Sequence, residues 1–166
     1  MNPCIIWFTG LPSSGKSTLA KPLYEKMREL NIPVVLLDGD DVRRYVSPEL
    51  SYTIPDRIKQ MWRLYGIAKL LLQSDVSSII CTNSSPFVKD KNIKIIYIDC
   101  TLEECKKRDV KHLYERASKG EIKNLPGIDL KYYYPLHPFL TLRTNIQSID
   151  ECTQKLIDNL LKEGEE

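Results

Sequence analysis

Gly10-Leu11-Pro12-Ser13-Ser14-Gly15-Lys16-Ser17 fits the pattern G-x-x-x-x-G-K-[ST], whose chemistry is the grip of a polyphosphate. Its glycines let the backbone curl until several N–H groups point at one anion. A helix beginning at Lys16 adds the positive end of its dipole. In that pattern the lysine, Lys16, reaches the β- and γ-phosphates, and the hydroxyl of Ser17 holds Mg²⁺. Thr18, next along the chain, completes the nucleotide-side set. The pattern implies ATP and Mg²⁺ but does not separate a kinase from a switch or a hydrolase.

Asp38-Gly39-Asp40 follows the apolar run Val34 to Leu37, with Arg43 and Arg44 just beyond. A carboxylate at such a strand end can accept a hydroxyl proton or help organise Mg²⁺, which makes Asp40 a candidate base and Asp38 a candidate metal group. An arginine beside it can fork onto an anionic substrate group. The same residues suit a plain strand-end turn in which Asp41 caps a short helix. Both readings stand on the residues alone.

These groups need a scaffold, and the hydrophobic pattern supplies one. Cys4 to Phe8 is a short continuous apolar run, the mark of a strand buried on both faces; Val34 to Leu37 predicts a second buried strand, and Val76 to Cys81 and Ile93 to Ile98 a third and a fourth. Leu140 to Leu142 predicts a last short strand. Leu19, Leu23, Met27 and Leu30 recur at helical spacing, although Pro22 removes a backbone donor inside that helix and predicts a kink. A second helix is predicted over Arg57 to Gln73. Thr101 with Glu104, and Ser148 with Glu151, are capping boxes that open two more, the last running to Leu161. Strand alternates with helix, so the fold class is α/β, with a mostly parallel sheet and helices on both faces. Ligands in such sheets sit at the carboxyl ends of the strands. Gly10 to Ser17, Asp38 to Arg43 and Asn83 to Pro86 all fall there.

The 166 residues show no internal repeat or linker, so one domain over 1–166 is expected. A formal charge of +2 gives no argument for a nucleic-acid polymer as partner. No apolar run approaches membrane-spanning length, and no secretory signal is evident, so a cytoplasmic protein is expected. Five scattered cysteines without C-x-x-C spacing read as reduced, buried thiols. Basic residues crowd the stretch from Lys106 to Lys123, which by itself reads as a solvated helix face.

The chain resembles adenylylsulfate kinase. The resemblance rests on Gly10 to Ser17, Leu37-Asp38-Gly39-Asp40-Asp41-Val42-Arg43, Asp56-Arg57 and Ser85-Pro86-Phe87. It continues through Arg108-Asp109-Val110-Lys111-His112-Leu113-Tyr114 and Gly120-Glu121-Ile122-Lys123 to Gly127-Ile128-Asp129, collinear from about Ile5 to Asn145. That family phosphorylates the ribose 3′-hydroxyl of adenosine 5′-phosphosulfate on a P-loop nucleoside-phosphate kinase fold. The resemblance implies that Asp40 stands beside the acceptor hydroxyl and that Arg43 and Arg57 contact the substrate. Arg108 joins the nucleotide side. Ser85 matches a serine described in the family as a phosphoserine intermediate, although direct in-line transfer needs no covalent step. The basic stretch becomes a lid over about 106–127, with Lys123 meeting phosphate charge and closure excluding water. A small nucleotide is then the partner, with a homodimer also allowed.

The departures from the family fall on the acceptor pocket. Tyr52 stands for one stacking phenylalanine and Leu125 for the other; Gln60 replaces an asparagine, Trp62 an arginine, and Ser84 an aliphatic residue. Asn83 to Asn92 leaves little room for a helix that the family has between the third and fourth strands. Ten extended residues span roughly 33–36 Å, enough to return across a parallel sheet. These changes favour a smaller base, and one branch of the family, cytidine diphosphoramidate kinase of bacterial capsule phosphoramidate synthesis, uses a pyrimidine nucleotide. The chain resembles that branch, with adenylylsulfate as the alternative acceptor. A regulator that binds ATP without catalysis is the alternative of another class. A GTPase switch lacks support, since no N/T-K-x-D motif is present.

Overall fold

The structure is a computed structural model that describes residues 1–161. Its centre is β1 (Ile5–Thr9), buried at every position, as a run without polar alternation must be when both faces are covered. β1 pairs in parallel with β3 (Ser77–Thr82) on one side and β4 (Ile93–Asp99) on the other. β2 (Val34–Asp38) and β5 (Leu140–Arg143) form the edges, so the order is β2-β3-β1-β4-β5 with every pairing parallel. Thr9 lies opposite Thr82 and Tyr97, which levels the carboxyl ends of the three central strands at one rim.

Alternate residues of β1 face different layers. Ile6 and Phe8 pack under α1 (Lys16–Glu29) and α6 (Ile149–Leu161), through Leu19, Leu23, Met27, Cys152, Leu156 and Leu160. Ile5 and Trp7 pack on α3 (Ile54–Gln73) through Met61, Leu64 and Ala68, with Val42 of α2 (Gly39–Tyr45) beside them. Helices therefore cover both faces, as the alternation predicts. A third apolar cluster sits at the carboxyl rim, where Leu11, Cys100, Cys105, Tyr114, Leu125 and Tyr132 meet beneath α4 (Leu102–Arg108) and α5 (Leu113–Ser118).

Several local expectations shift. α1 runs unbroken through Pro22. The carbonyl that loses its donor belongs to Thr18, on an exposed face where water can serve it. α3 starts at Ile54, earlier than Arg57, because Pro55 sits in the first turn, where its missing N–H is not needed. The short helix after β2 is capped by Asp38, not Asp41: the Asp38 carboxylate accepts from the Asp40 N–H at 2.9 Å. α5 was not foreseen; the Asp109 carboxylate forms it by taking the N–H groups of Leu113, Tyr114 and Glu115. Between β3 and β4 the chain forms no helix. Asp90 anchors that crossing by accepting from Tyr65, Lys69 and the Asn92 backbone. All five cysteines are buried, and none forms a disulfide among the described residues. Among the described residues no helix is long and apolar enough to cross a membrane.

Candidate active site

The loop after β1 has the curl its glycines predict. A Cβ on Gly10 would lie 2.6 Å from the Ile98 carbonyl oxygen, so the loop can pass β4 only without a side chain there. Ser13 and Gly15 take left-handed backbone conformations, with φ of 59° and 102°. Lys16 Nζ donates to the carbonyls of Gly10 at 3.0 Å and Leu11 at 2.6 Å. Burial pulls the Lys16 ammonium down to about 8, against the charges of Asp40 and Asp38, which act to raise it. Ser17 Oγ donates to Asp38 Oδ2 at 3.2 Å. A hydroxyl beside a carboxylate oxygen suits Mg²⁺, which takes few protein oxygens and fills its octahedron with phosphate and water. Ser17 and Asp38 fit that ion.

The lid stretch is folded down on this loop. Tyr114 donates its phenolic O–H to the Pro12 carbonyl at 2.9 Å. Arg108 donates to the carbonyls of Ser14 and Thr144 and to Thr144 Oγ1, while Thr144 Oγ1 donates to the Ser14 carbonyl at 2.7 Å. Arg108 and Thr144 thus brace the back of the phosphate loop from α4 and from the end of β5. Lys111, in the turn between α4 and α5, donates from Nζ to Asp40 Oδ2. Gly127 lets the far end of the lid pass close to the loop: a Cβ there would meet Leu11 Cδ2 at 2.9 Å.

On the acceptor side the two arginines share one aromatic ring. The guanidiniums of Arg43 and Arg57 lie 4.6 and 5.5 Å from the centre of Tyr52. Arg43 donates to the carbonyls of Leu50 and Ser51, and Arg57 to those of Tyr52 and Asn124, so Arg57 ties α3 to the lid. Burial first, then the neighbouring charge of Arg43, lowers the proton affinity of Arg57. Gln60, one turn beyond Arg57 on α3, is 4% exposed. Its Nε2 donates to the Gly39 carbonyl at 3.3 Å, and its Oε1 is buried with no partner among the described residues. Ser85 Oγ is likewise buried and unpartnered, and the neighbouring Ser84 carbonyl accepts from Trp7 Nε1.

The structure therefore gathers Lys16, Ser17, Asp38, Asp40, Arg43, Arg57, Gln60 and Arg108 around one rim. Leu125 and Lys123 stand apart from that group. Leu125 is 5% exposed and packs inside the rim cluster with Leu11 and Tyr114, so little of it is offered to a ligand. Lys123 is exposed, and no bond to it is found among the described residues. Lys111 and Tyr114 belong to the R-D-x-K-x-L-Y string but were not among the expected site residues. Thr144 follows the last strand with no motif to mark it; only the return of β5 beside β4 brings it to Ser14. Ammonium and backbone donors for a polyphosphate, an oxygen pair for a divalent ion, and a carboxylate flanked by cations together suit phosphoryl transfer to a hydroxyl.

The sequence model of the family described as adenylylsulphate kinase matches residues 2–143. The adenylyl-sulfate kinase of Clostridium kluyveri is 38% identical over 168 residues, covering 96% of this chain and 84% of that protein. That of Clostridium acetobutylicum is 38% identical over 94% of this chain and 82% of its own length. The solved APS kinase CysC of Mycobacterium tuberculosis, in complex with AMPPNP and APS, superposes with a TM-score of 0.88 at 32% identity, covering 96% of this chain and 98% of that one. Match, relatives and superposition span the loop, the carboxylate turn and the lid together, and the chain belongs to the adenylylsulphate kinase family, phosphotransferases that use ATP with Mg²⁺ and an alcohol group as acceptor.

Proposed function

We propose that this kinase transfers the γ-phosphoryl group of ATP to the ribose 3′-hydroxyl of cytidine diphosphoramidate. The observation that carries this reading is the orientation of Gln60. Its amide N–H is engaged by the Gly39 carbonyl, so the free end is a buried, unpartnered carbonyl oxygen. An anionic tail held by Arg43 and Arg57 would lie within reach of Gln60, which shares a helix face with Arg57. A phosphosulfate end carries only acceptor oxygens and would repel that carbonyl. A phosphoramidate end carries N–H groups and satisfies it, relieving a penalty of about 1–3 kcal/mol for a buried unpaired acceptor. Leu125, turned into the rim cluster, offers no ring to sandwich a purine.

In this reading Asp40 orients or deprotonates the hydroxyl, while Lys16 and the loop amides hold the phosphoryl group in flight. Ser17, backed by Asp38, would hold Mg²⁺, which would supply positive charge to the phosphates. Tyr52 and Ser84 complete the acceptor wall, and Lys123 contributes positive charge at its mouth. Ser85 serves as a polar contact.

A second reading, phosphorylation of adenylylsulfate, is favoured by the names of the similar enzymes. A side-by-side turnover assay separates the two. The proposal expects kcat/KM for cytidine diphosphoramidate to exceed that for adenylylsulfate by about tenfold or more, the worth of one satisfied buried acceptor. Equal or better turnover of adenylylsulfate would replace it with the second reading. ATP binding without ADP formation on either acceptor would point to a sensor.

A further inference from the structure

Arg57 is clamped between two elements. Its Nε donates to the Tyr52 carbonyl at 3.0 Å, just before α3, and its Nη2 to the Asn124 carbonyl at 2.6 Å, 67 positions along the chain. A guanidinium carries five donors in one rigid plane, so these two bonds fix the plane and leave three for an anion. The second anchor is only as firm as the peptide that offers it. Asn124 stands at a φ of 60°, and the chain folds back just beyond it, with Gly127 N–H on the Leu130 carbonyl and Ile128 N–H on the Leu125 carbonyl. Asp129 closes this turn: Oδ2 accepts from the Asn124 N–H and Oδ1 from the Leu125 N–H, both at 2.7 Å. The Leu125 N–H and the Asn124 carbonyl are the two ends of one planar peptide group. Cation, peptide and carboxylate therefore stand in one chain of bonds, in which the charge at each end polarises the group between them. Asp129 and Asp40 are also the carboxylates whose charge acts on Arg57 against the repulsion of Arg43. The turn lies outside every helix and strand, so the bonds of Asp129 build no element. What they fix is the carbonyl presented to Arg57.

We propose that Asp129 is a positioning residue for the acceptor: through the Asn124–Leu125 peptide it sets the plane of Arg57, and so how tightly the acceptor's anionic end is held. This rests on the reading of Arg57 as an acceptor contact given above. Asp129 touches no reacting atom and acts only through the arginine. Asparagine at 129 keeps the size of the side chain but turns an NH₂ group towards one of the two N–H groups and removes the charge. The peptide then loses its grip at the N–H end, and the guanidinium can pivot about the Tyr52 bond alone. Glutamate keeps both oxygens and the charge on a longer arm.

Asp129→Asn and Asp129→Glu test this by calorimetry of acceptor binding to protein saturated with a non-hydrolysable ATP analogue and Mg²⁺, using the better acceptor. The asparagine variant should lose about tenfold or more in acceptor affinity, the scale of one hydrogen bond to a charged group, with affinity for the analogue within about threefold of wild type. In turnover the loss should fall on the acceptor KM and leave kcat within about threefold. The glutamate variant should recover about threefold or more, since it restores a charged acceptor. Arg57→Lys supplies the background that separates positioning from folding, because an ammonium has no plane to orient. There Asp129→Asn should cost less than about twofold. An equal loss in both backgrounds, or an asparagine variant within about threefold of wild type in acceptor affinity, overturns the proposal and leaves Asp129 as a turn residue. Inorganic pyrophosphate, added to the analogue-saturated protein, reads the arginine contact without a nucleoside, and the asparagine variant should bind it about tenfold or more weakly. Wild type that binds pyrophosphate but neither acceptor counts against the substrate reading, with pyrophosphate still deciding Asp129; wild type that binds none of the three overturns both.

Discussion

Lys16→Met should make the nucleotide-free protein more stable while ending turnover. The Lys16 ammonium is held near 8 instead of the ordinary 10.5, chiefly by burial. At 1.36 kcal/mol per tenfold in proton affinity, keeping it charged disfavours the folded state by about 3 kcal/mol at pH 7. Methionine keeps the length and removes the charge. The carbonyls of Gly10 and Leu11 then lose their donor, at about 0.5–1.5 kcal/mol each, so the net gain is up to about 2 kcal/mol. For a domain of this size that raises Tm by up to roughly 8 °C. The pH dependence carries the cause. Between about 8 and 10.5 the unfolded chain binds the proton that the folded chain has released, so wild-type stability rises with pH across that window through this group. The variant lacks that rise. Thermal unfolding of both proteins without nucleotide, from pH 7 to pH 10, should show a gap that is constant below about 8 and closes above it. A methionine variant less stable than wild type at pH 7, or a gap unchanged with pH, would refute the reasoning.

Asp40→Asn should lower kcat by about 10²–10⁴-fold, the range for a general base, with ATP affinity kept because the phosphate loop is untouched; calorimetry beside steady-state assays checks both halves. Gly127→Ala forces a Cβ to 2.9 Å from Leu11 Cδ2 at a φ of 90°, so Tm should fall by several degrees, from a cost of about 1–2 kcal/mol for the left-handed residue alone. Asp90 is held at about 2, first by the Asn92 backbone N–H and then by Lys69, so its bonds favour the fold above the ordinary carboxylate range and are lost as pH falls through about 2. Asp90→Asn should therefore destabilise the protein at pH 7, with the deficit shrinking as pH drops from about 4 towards 2, measured by urea unfolding across that series.

Much of this protein is legible in its sequence because the determinants are local. A short continuous apolar run suits a strand covered on both faces, so Cys4 to Phe8 could be read as one from its residues alone, while its place at the sheet's centre comes from the structure. The phosphate loop needs glycines at fixed offsets because a side chain at Gly10 would strike the Ile98 carbonyl, and that requirement is written in eight consecutive residues. The stretch from Lys106 to Lys123 was set apart from a solvated helix face only by the R-D-x-K-x-L-Y string, since its basic residues alone resemble such a face.

What the sequence left open depends on residues far apart along the chain. Whether Asp38 or Asp41 caps α2 turns on which carboxylate faces the helix's free N–H groups, and β2 aims Asp38 there. Lys111 meets Asp40 and Thr144 meets Ser14 only because parallel strands bring every carboxyl end to one rim. Leu125 reads as an open pocket wall until the lid folds it against Leu11 and Tyr114, where burying its apolar surface wins. Short-range sterics and hydrophobic period set the elements; long-range packing decides which charges and hydroxyls share a cavity, because that depends on where separate strands end in space.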